Sequence, residues 1–209
     1  MSDYSLDNVL PSFRLDGRLA IITGGSGGMA SVLSRALLAQ GAEVALVDML
    51  EERTLAAANE VTKWGEETLK GQTLGLVSGW VCNIGDAAHV DEVFAQINER
   101  HGKIADVLIN TAGYCENFPA EEYPAPNAEG LMKVNALGAF YVSQLFARPL
   151  IAANKPGSVI LIGLMSGTIV NDPQPQALYN MLKAAVIHLG RSLACEWAKY
   201  NIRVNVLSP

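Results

Sequence analysis

Cysteine is scarce in this chain and nowhere paired: Cys82, Cys115 and Cys195 are widely spaced, with no CxxC and no His-rich cluster beside them. That argues against a disulfide framework or a zinc site, leads us to expect no bound metal, and suits a reducing compartment, read here as the cytoplasm. Also absent is any block of basic residues, since 15 Lys and Arg stand against 21 Asp and Glu for a net charge of -6. Such a chain offers no track for nucleic acid and no patch for an anionic membrane. No apolar run is long enough to cross a bilayer. Met1 to Asp16 is polar and mixed in charge, without the basic start and apolar stretch of a secretory signal. Linkers and low-complexity segments are missing too, so residues 1–209 are expected to form a single domain, and an apolar fraction of 50% supplies it with one good core.

What is present is an alternation. The run LAIITGG, Leu19 to Gly25, is continuously apolar and closed by glycines, as in a strand covered on both faces. Met29 to Gln40 then carries apolar residues at helical spacing and stops at Gly41, before a second buried strand, Ala42 to Asp48. The same pattern predicts helix over Leu55 to Trp64, strand to Asn83, helix over Ala87 to Arg100, and a strand in DVLINTAG. It then predicts one long helix over Ala128 to Leu150, strand over Ser158 to Gly163, helix over Ala177 to Tyr200 and a sixth strand from Ile202. Strands separated by helices require right-handed crossovers, hence an α/β fold with a doubly wound parallel sheet of the Rossmann kind. The chain stops at Pro209, directly after the sixth strand, so a last strand and a lid over the site are expected to be missing.

TGGSGGMA, Thr23 to Ala30, lies at the turn from the first strand into the first helix. There Gly24, Ser26, Gly27, Gly28 and Met29 could present backbone N–H groups to a pyrophosphate, where the helix dipole also favours negative charge. A glycine-rich turn can equally be only a tight strand-to-helix connection. Asp48 ends the second strand, where a carboxylate would accept bonds from the ribose hydroxyls of NAD and repel the 2′-phosphate of NADP; its plainer role would be to cap the next helix. No Arg or Lys neighbours the glycines in sequence to offset that charge.

Tyr179 and Lys183 stand four apart on a predicted helix and so share a face. An ammonium beside a phenol stabilises the phenolate, and lowering a tyrosine by about three units takes roughly 4 kcal/mol, within reach of Lys183 and an oxidised nicotinamide together. The spacing alone is common. Its place at the start of the helix after the fifth strand is what marks it.

With the glycine turn, Asn110-Thr111-Ala112-Gly113 ending the fourth strand, Asn135 in the following helix and the Tyr-Lys pair all in order, the chain resembles the short-chain dehydrogenases and reductases. The resemblance covers nearly every residue. It implies NAD as cofactor, Tyr179 as acid/base, Lys183 lowering its pKa and holding the ribose, and Asn135 placing a water for proton relay. It further implies Asn83 near the adenine, and Asn110, Ala112 and Gly113 bordering the cofactor. Its polyol-oxidising members imply interconversion of D-arabinitol and D-ribulose, and the pairing of long helices between subunits implies a homo-oligomer, a tetramer. Asn83 departs from the family's more usual Asp.

The family's carbonyl-orienting serine falls on Leu164, and Leu182 also stands where polyol enzymes of the family have serine. CUG codons, which some yeasts read as serine, would explain both; true substitution in an inactive relative or an engineered variant are the alternatives. Ser166 could stand in for the missing hydroxyl. Glu116, Asn117, Asp172 and Gln174 lie in loops where they could meet polyol hydroxyls or simply face water. Trp64, Trp80 and Trp197 read as packing residues, and His89, His101 and His188 as surface or satisfied side chains. A rival reading keeps the fold without turnover, as a dinucleotide-binding or subunit-pairing protein.

Overall fold

The computed structural model describes residues 13–209, so most of the stretch read as lacking a secretory signal lies outside the described residues. Six strands follow one another as β1 (Leu19–Thr23), β2 (Glu43–Asp48), β3 (Val77–Val81), β4 (Val107–Asn110), β5 (Gly157–Ile162) and β6 (Ile202–Leu207). Between them run the helices α1 (Gly28–Ala39), α2 (Glu51–Thr68), α3 (Ala87–His101), α4 (Ala125–Met132), α5 (Ala139–Ala152) and α6 (Ala177–Trp197). The strands form one sheet of order β3-β2-β1-β4-β5-β6, with every neighbouring pair parallel. This is the doubly wound sheet expected from the alternation.

Because successive side chains of a strand point to opposite faces, each strand feeds two cores. Leu19, Ile21, Ala45 and Val47 join Phe94 and Ile97 of α3, Phe146 and Leu150 of α5 and Leu193 of α6. Ile22, Val44, Leu46 and Ile109 face the other way and pack with Leu38 of α1 and Val61 of α2. β1 is buried at all five positions, as its central place demands, whereas the edge strand β3 is only partly covered and ends exposed at Val81. The chain reverses its winding direction between β1 and β4, so the loops leaving those two strands part and open a crevice at their carboxyl ends.

Several elements differ from the sequence-based expectation, among them α6, which ends at Trp197 rather than Tyr200, and β4, which ends at Asn110. α2 begins at Glu51 and ends at Thr68, beyond both expected ends; Glu51 and Glu52 favour a helix N-terminus by charge, which apolar spacing does not register. The third strand stops at Val81, two residues early. The single long helix is interrupted, because between α4 and α5 residues Lys133–Gly138 form a π-helix, a wider turn that shifts the faces without breaking the rod. There Gly138 lets the helix close on the loop that follows β3, for a Cβ would stand 2.8 Å from Ile84 Cδ1.

Candidate active site

The crevice beside β1 and β4 opens into a cavity of about 790 Å³. Gly24, Ser26, Gly27, Gly28, Met29, Asp48, Asn83, Ala112 and Gly113, all expected to meet a cofactor, line it. Its floor depends on Gly24, which has φ +68, where a Cβ would lie 2.9 Å from the Ala112 nitrogen. Any other residue there would be strained and would push the two loops apart. Gly28 faces open space. α1 starts at Gly28 with no side-chain cap and no acidic residue in its first turn, so its first N–H groups keep the orphan-donor character of a helix start and point toward the cleft. These features fit the pyrophosphate of a dinucleotide.

Asp48 is held rather than free. One carboxylate oxygen accepts from Ser26 N at 3.1 Å and Ser26 Oγ at 2.8 Å, and the other accepts from Met49 N at 2.7 Å. The glycine turn thereby fixes the carboxylate at the far rim of the cavity. Sequence neighbours gave no basic group here, yet Arg53, on the first turn of α2, and Lys133, at the start of the π segment, both line the same cavity. Asn83 is exposed on the cavity wall, and its Oδ1 accepts from Gly85 N at 3.0 Å. Of the residues expected at the cofactor, Asn110, Tyr179 and Lys183 do not line this cavity: Asn110 is buried at 4% exposure, and its Oδ1 accepts from Thr23 Oγ1 at 2.5 Å, tying the ends of β1 and β4 together.

Next to Gly113 the second half of the site begins. A Cβ on that glycine would stand 2.6 Å from Asn135 Oδ1 and 3.6 Å from Lys183 Nζ, so the absence of a side chain brings Asn135 and Lys183 to the cofactor loop. Asn135 lies within the π segment at 2% exposure. Its Nδ2 donates to the carbonyls of Tyr114 at 3.0 Å and Leu131 at 3.2 Å, while its Oδ1 is buried without a partner among the described residues. A buried acceptor left open beside an ammonium fits a bound water. Lys183 Nζ donates to the Ile162 carbonyl at 3.1 Å and lies 5.5 Å from the centre of the Tyr179 ring.

In the chain by itself, without a nicotinamide, Lys183 alone does not lower the phenol. Burial raises the Tyr179 phenol above its ordinary value, with a smaller push from Cys115, and the ammonium over its ring does not overturn this. Burial likewise lowers Lys183, partly offset by Cys115. Burial thus disfavours the charged form of each group, and added positive charge nearby would favour only the phenolate. Leu164, at the end of β5, has φ +94, a conformation that residues with a Cβ rarely adopt, and is half-buried. Ser166 is buried at 3%, and its Oγ accepts from Asn171 Nδ2 at 2.8 Å, a bond that leaves its own O–H to donate. Leu182 faces the core at 2% exposure. Glu116 is likewise engaged, accepting from Tyr123 and Asn127. His101 is buried and satisfied between Glu43 and Ser78.

A doubly wound sheet with a glycine turn at its switch point and a Tyr, a Lys and a buried Asn beside it defines a dinucleotide-dependent oxidoreductase. More narrowly, the chain belongs to the short chain dehydrogenase family, whose profile it matches over residues 18–209. It is 75% identical over 210 residues to D-arabinitol 2-dehydrogenase (ribulose-forming) of Scheffersomyces stipitis, covering 99% of this chain and 76% of that protein. It is also 54% identical over 210 residues to the NADH-dependent L-xylulose reductase of Ambrosiozyma monospora, covering 100% of this chain and 75% of that one. Among solved structures, NAD⁺-bound xylitol dehydrogenase superposes with a TM-score of 0.81 at 29% identity, over 93% of this chain and 70% of that chain. Among the described residues, no helix is long and apolar enough to cross a membrane.

Proposed function

We propose that this chain is an NAD(H)-dependent polyol dehydrogenase that interconverts D-arabinitol and D-ribulose. The observation that carries the reading is the meeting of Lys183 and the open Oδ1 of Asn135 at Gly113, on the border of the cofactor cleft, with the Tyr179 ring 5.5 Å from the Lys183 ammonium. The substrate comes from the 75% identical relative, which is named for that reaction. Appearance of NADH absorbance with D-arabinitol tests it; cofactor binding without turnover would favour the non-catalytic reading, which the names of the similar enzymes do not support.

NAD bound in this cleft would supply the hydride acceptor at the nicotinamide C4. In the oxidative direction the substrate hydroxyl gives its proton to the Tyr179 phenolate as its carbon loses hydride. Lys183 opposes the negative charge on the phenolate oxygen, and burial makes that charge cost more without it. A water held by Asn135 Oδ1 would carry the proton onward to solvent. In the reductive direction Tyr179 donates the proton to the carbonyl oxygen. Leu164 offers no hydrogen bond to that oxygen, and removal of such a donor costs about 10²- to 10³-fold in rate.

The choice of NAD over NADP rests on Asp48, whose carboxylate is fixed by Ser26 and the Met49 backbone at the cavity rim. Arg53 and Lys133 sit along the same cavity and soften that repulsion. Comparing kcat/KM for NADH and NADPH decides it, equal values being the unfavourable outcome. A homo-oligomer is part of this reading, supported by exposed Met132, Leu137 and Phe140 along the α4–α5 rod and Met181 on α6; light scattering of the native protein checks it. The double Leu-for-Ser difference at 164 and 182 is read as CUG decoding. Intact mass of the protein from its own cells would show serine at both positions, and leucine at both would remove the idea. The fold accommodates leucine at 182, where it is buried in the core.

A further inference from the structure

Above the Tyr179 pair, two loops meet through one contact that the reaction scheme leaves unused. Gln176 Nε2 donates to Cys115 Sγ at 3.3 Å across 61 residues of sequence. Cys115 lies two residues past Gly113, the glycine against Asn135 and Lys183. Gln176 stands three residues before Tyr179, and such neighbours at the start of a helix share a face. Cys115 also lies within electrostatic reach of both Tyr179 and Lys183. Gln176 occupies the N-cap position of α6, yet its side chain makes no capping bond. The amide is therefore not engaged in starting the helix.

We propose that Gln176, steadied by Cys115, is a specificity-determining residue whose amide reads the hydroxyl beside the reacting carbon of a polyol or its 2-ketose. The inference rests on the polyol reading above and adds the group that selects among polyols. A thiol is a weak acceptor, so the N–H···S contact holds the amide in place and is given up at little cost when a hydroxyl arrives. The amide then offers a donor and an acceptor, matching a hydroxyl that is both. A contact meant only to staple the loops would be expected to use a stronger acceptor. One is adjacent, since Glu116 accepts from Tyr123 at 3.3 Å and Asn127 at 3.1 Å, and Gln176 does not join them. Cys115 is exposed and Gln176 half-buried, which leaves the pair open to a ligand.

The test compares the full chain with Gln176→Leu and Gln176→Glu on D-arabinitol, ribitol and xylitol, which differ at single carbons. Gln176→Leu should lower kcat/KM for D-arabinitol about 10- to 100-fold, mainly through KM, and flatten discrimination among the three. NADH affinity and the thermal midpoint should stay unchanged, and Gln176→Glu, which keeps an acceptor, should recover part of the loss. Equal loss on all three polyols, or none, overturns the inference while the polyol reading stands. An unmodified chain inactive on every polyol overturns that reading itself, and the inference with it.

Discussion

Tyr179 shows how much a single group depends on what surrounds it. Burial holds its phenol above the ordinary tyrosine value, so in the chain alone it stays protonated through neutral pH, and the arrival of a cationic nicotinamide ring is what would bring it down. Tyrosinate absorbance, taken as the difference from Tyr179→Phe, should titrate above the ordinary value without cofactor and move to lower pH with NAD. No movement would count against the acid/base role. Leu164→Ser should raise kcat/KM at least tenfold, read in the NADH assay; an unchanged rate would show that the loop does not present position 164 to the substrate oxygen. The Tyr-Lys pair, the glycine turn and Asp48 were legible because each is a residue type at a fixed spacing on one element. Asn135 was legible only through family resemblance. Arg53, and the Gln176 contact with Cys115, were not legible, since they depend on how separate loops approach in space.

At the level of elements, the parallel strands could be read from apolar runs and the doubly wound class from the rules of crossover handedness, while the order of the strands came only with the structure. The π segment could not be read. It leaves the apolar character of the rod intact and alters only the register by which Asn135 turns inward. A polar tie at the opposite end of the sheet was equally hidden: Glu43 on β2 accepts from His101 Nδ1 at 2.6 Å and Lys103 at 2.7 Å, while His101 Nε2 meets Ser78 Oγ of β3 at 2.8 Å. Burial alone would raise Glu43, but the bonds from Lys103 and His101 outweigh it and lower its pKa. A depressed carboxylate adds stability that is present above its unfolded value and is lost as pH falls through the folded one. Glu43→Gln should therefore cost about 1–3 kcal/mol in urea unfolding at neutral pH, and the gap to the parent should close in acid. A constant gap down to low pH would assign the effect to packing instead.

For the molecule as a whole, burial sorts the three thiols. Cys82 is enclosed between α3 and the sheet, its thiol pushed up to about 12 mainly by burial, whereas Cys115 and Cys195 are exposed. A thiol reagent should count two fast groups on the native protein and a third only on unfolding; three fast groups would mean a looser core than described. The sheet order carries one more consequence. The innermost strand is made first, yet its partner on one side, joined through Thr23 and Asn110, lies 87 residues later. At roughly 5–20 residues per second, a ribosome needs about 4–17 s to deliver it. For that interval a largely apolar ribbon is left half-mated on the nascent chain, so a chaperone that covers it should raise the yield.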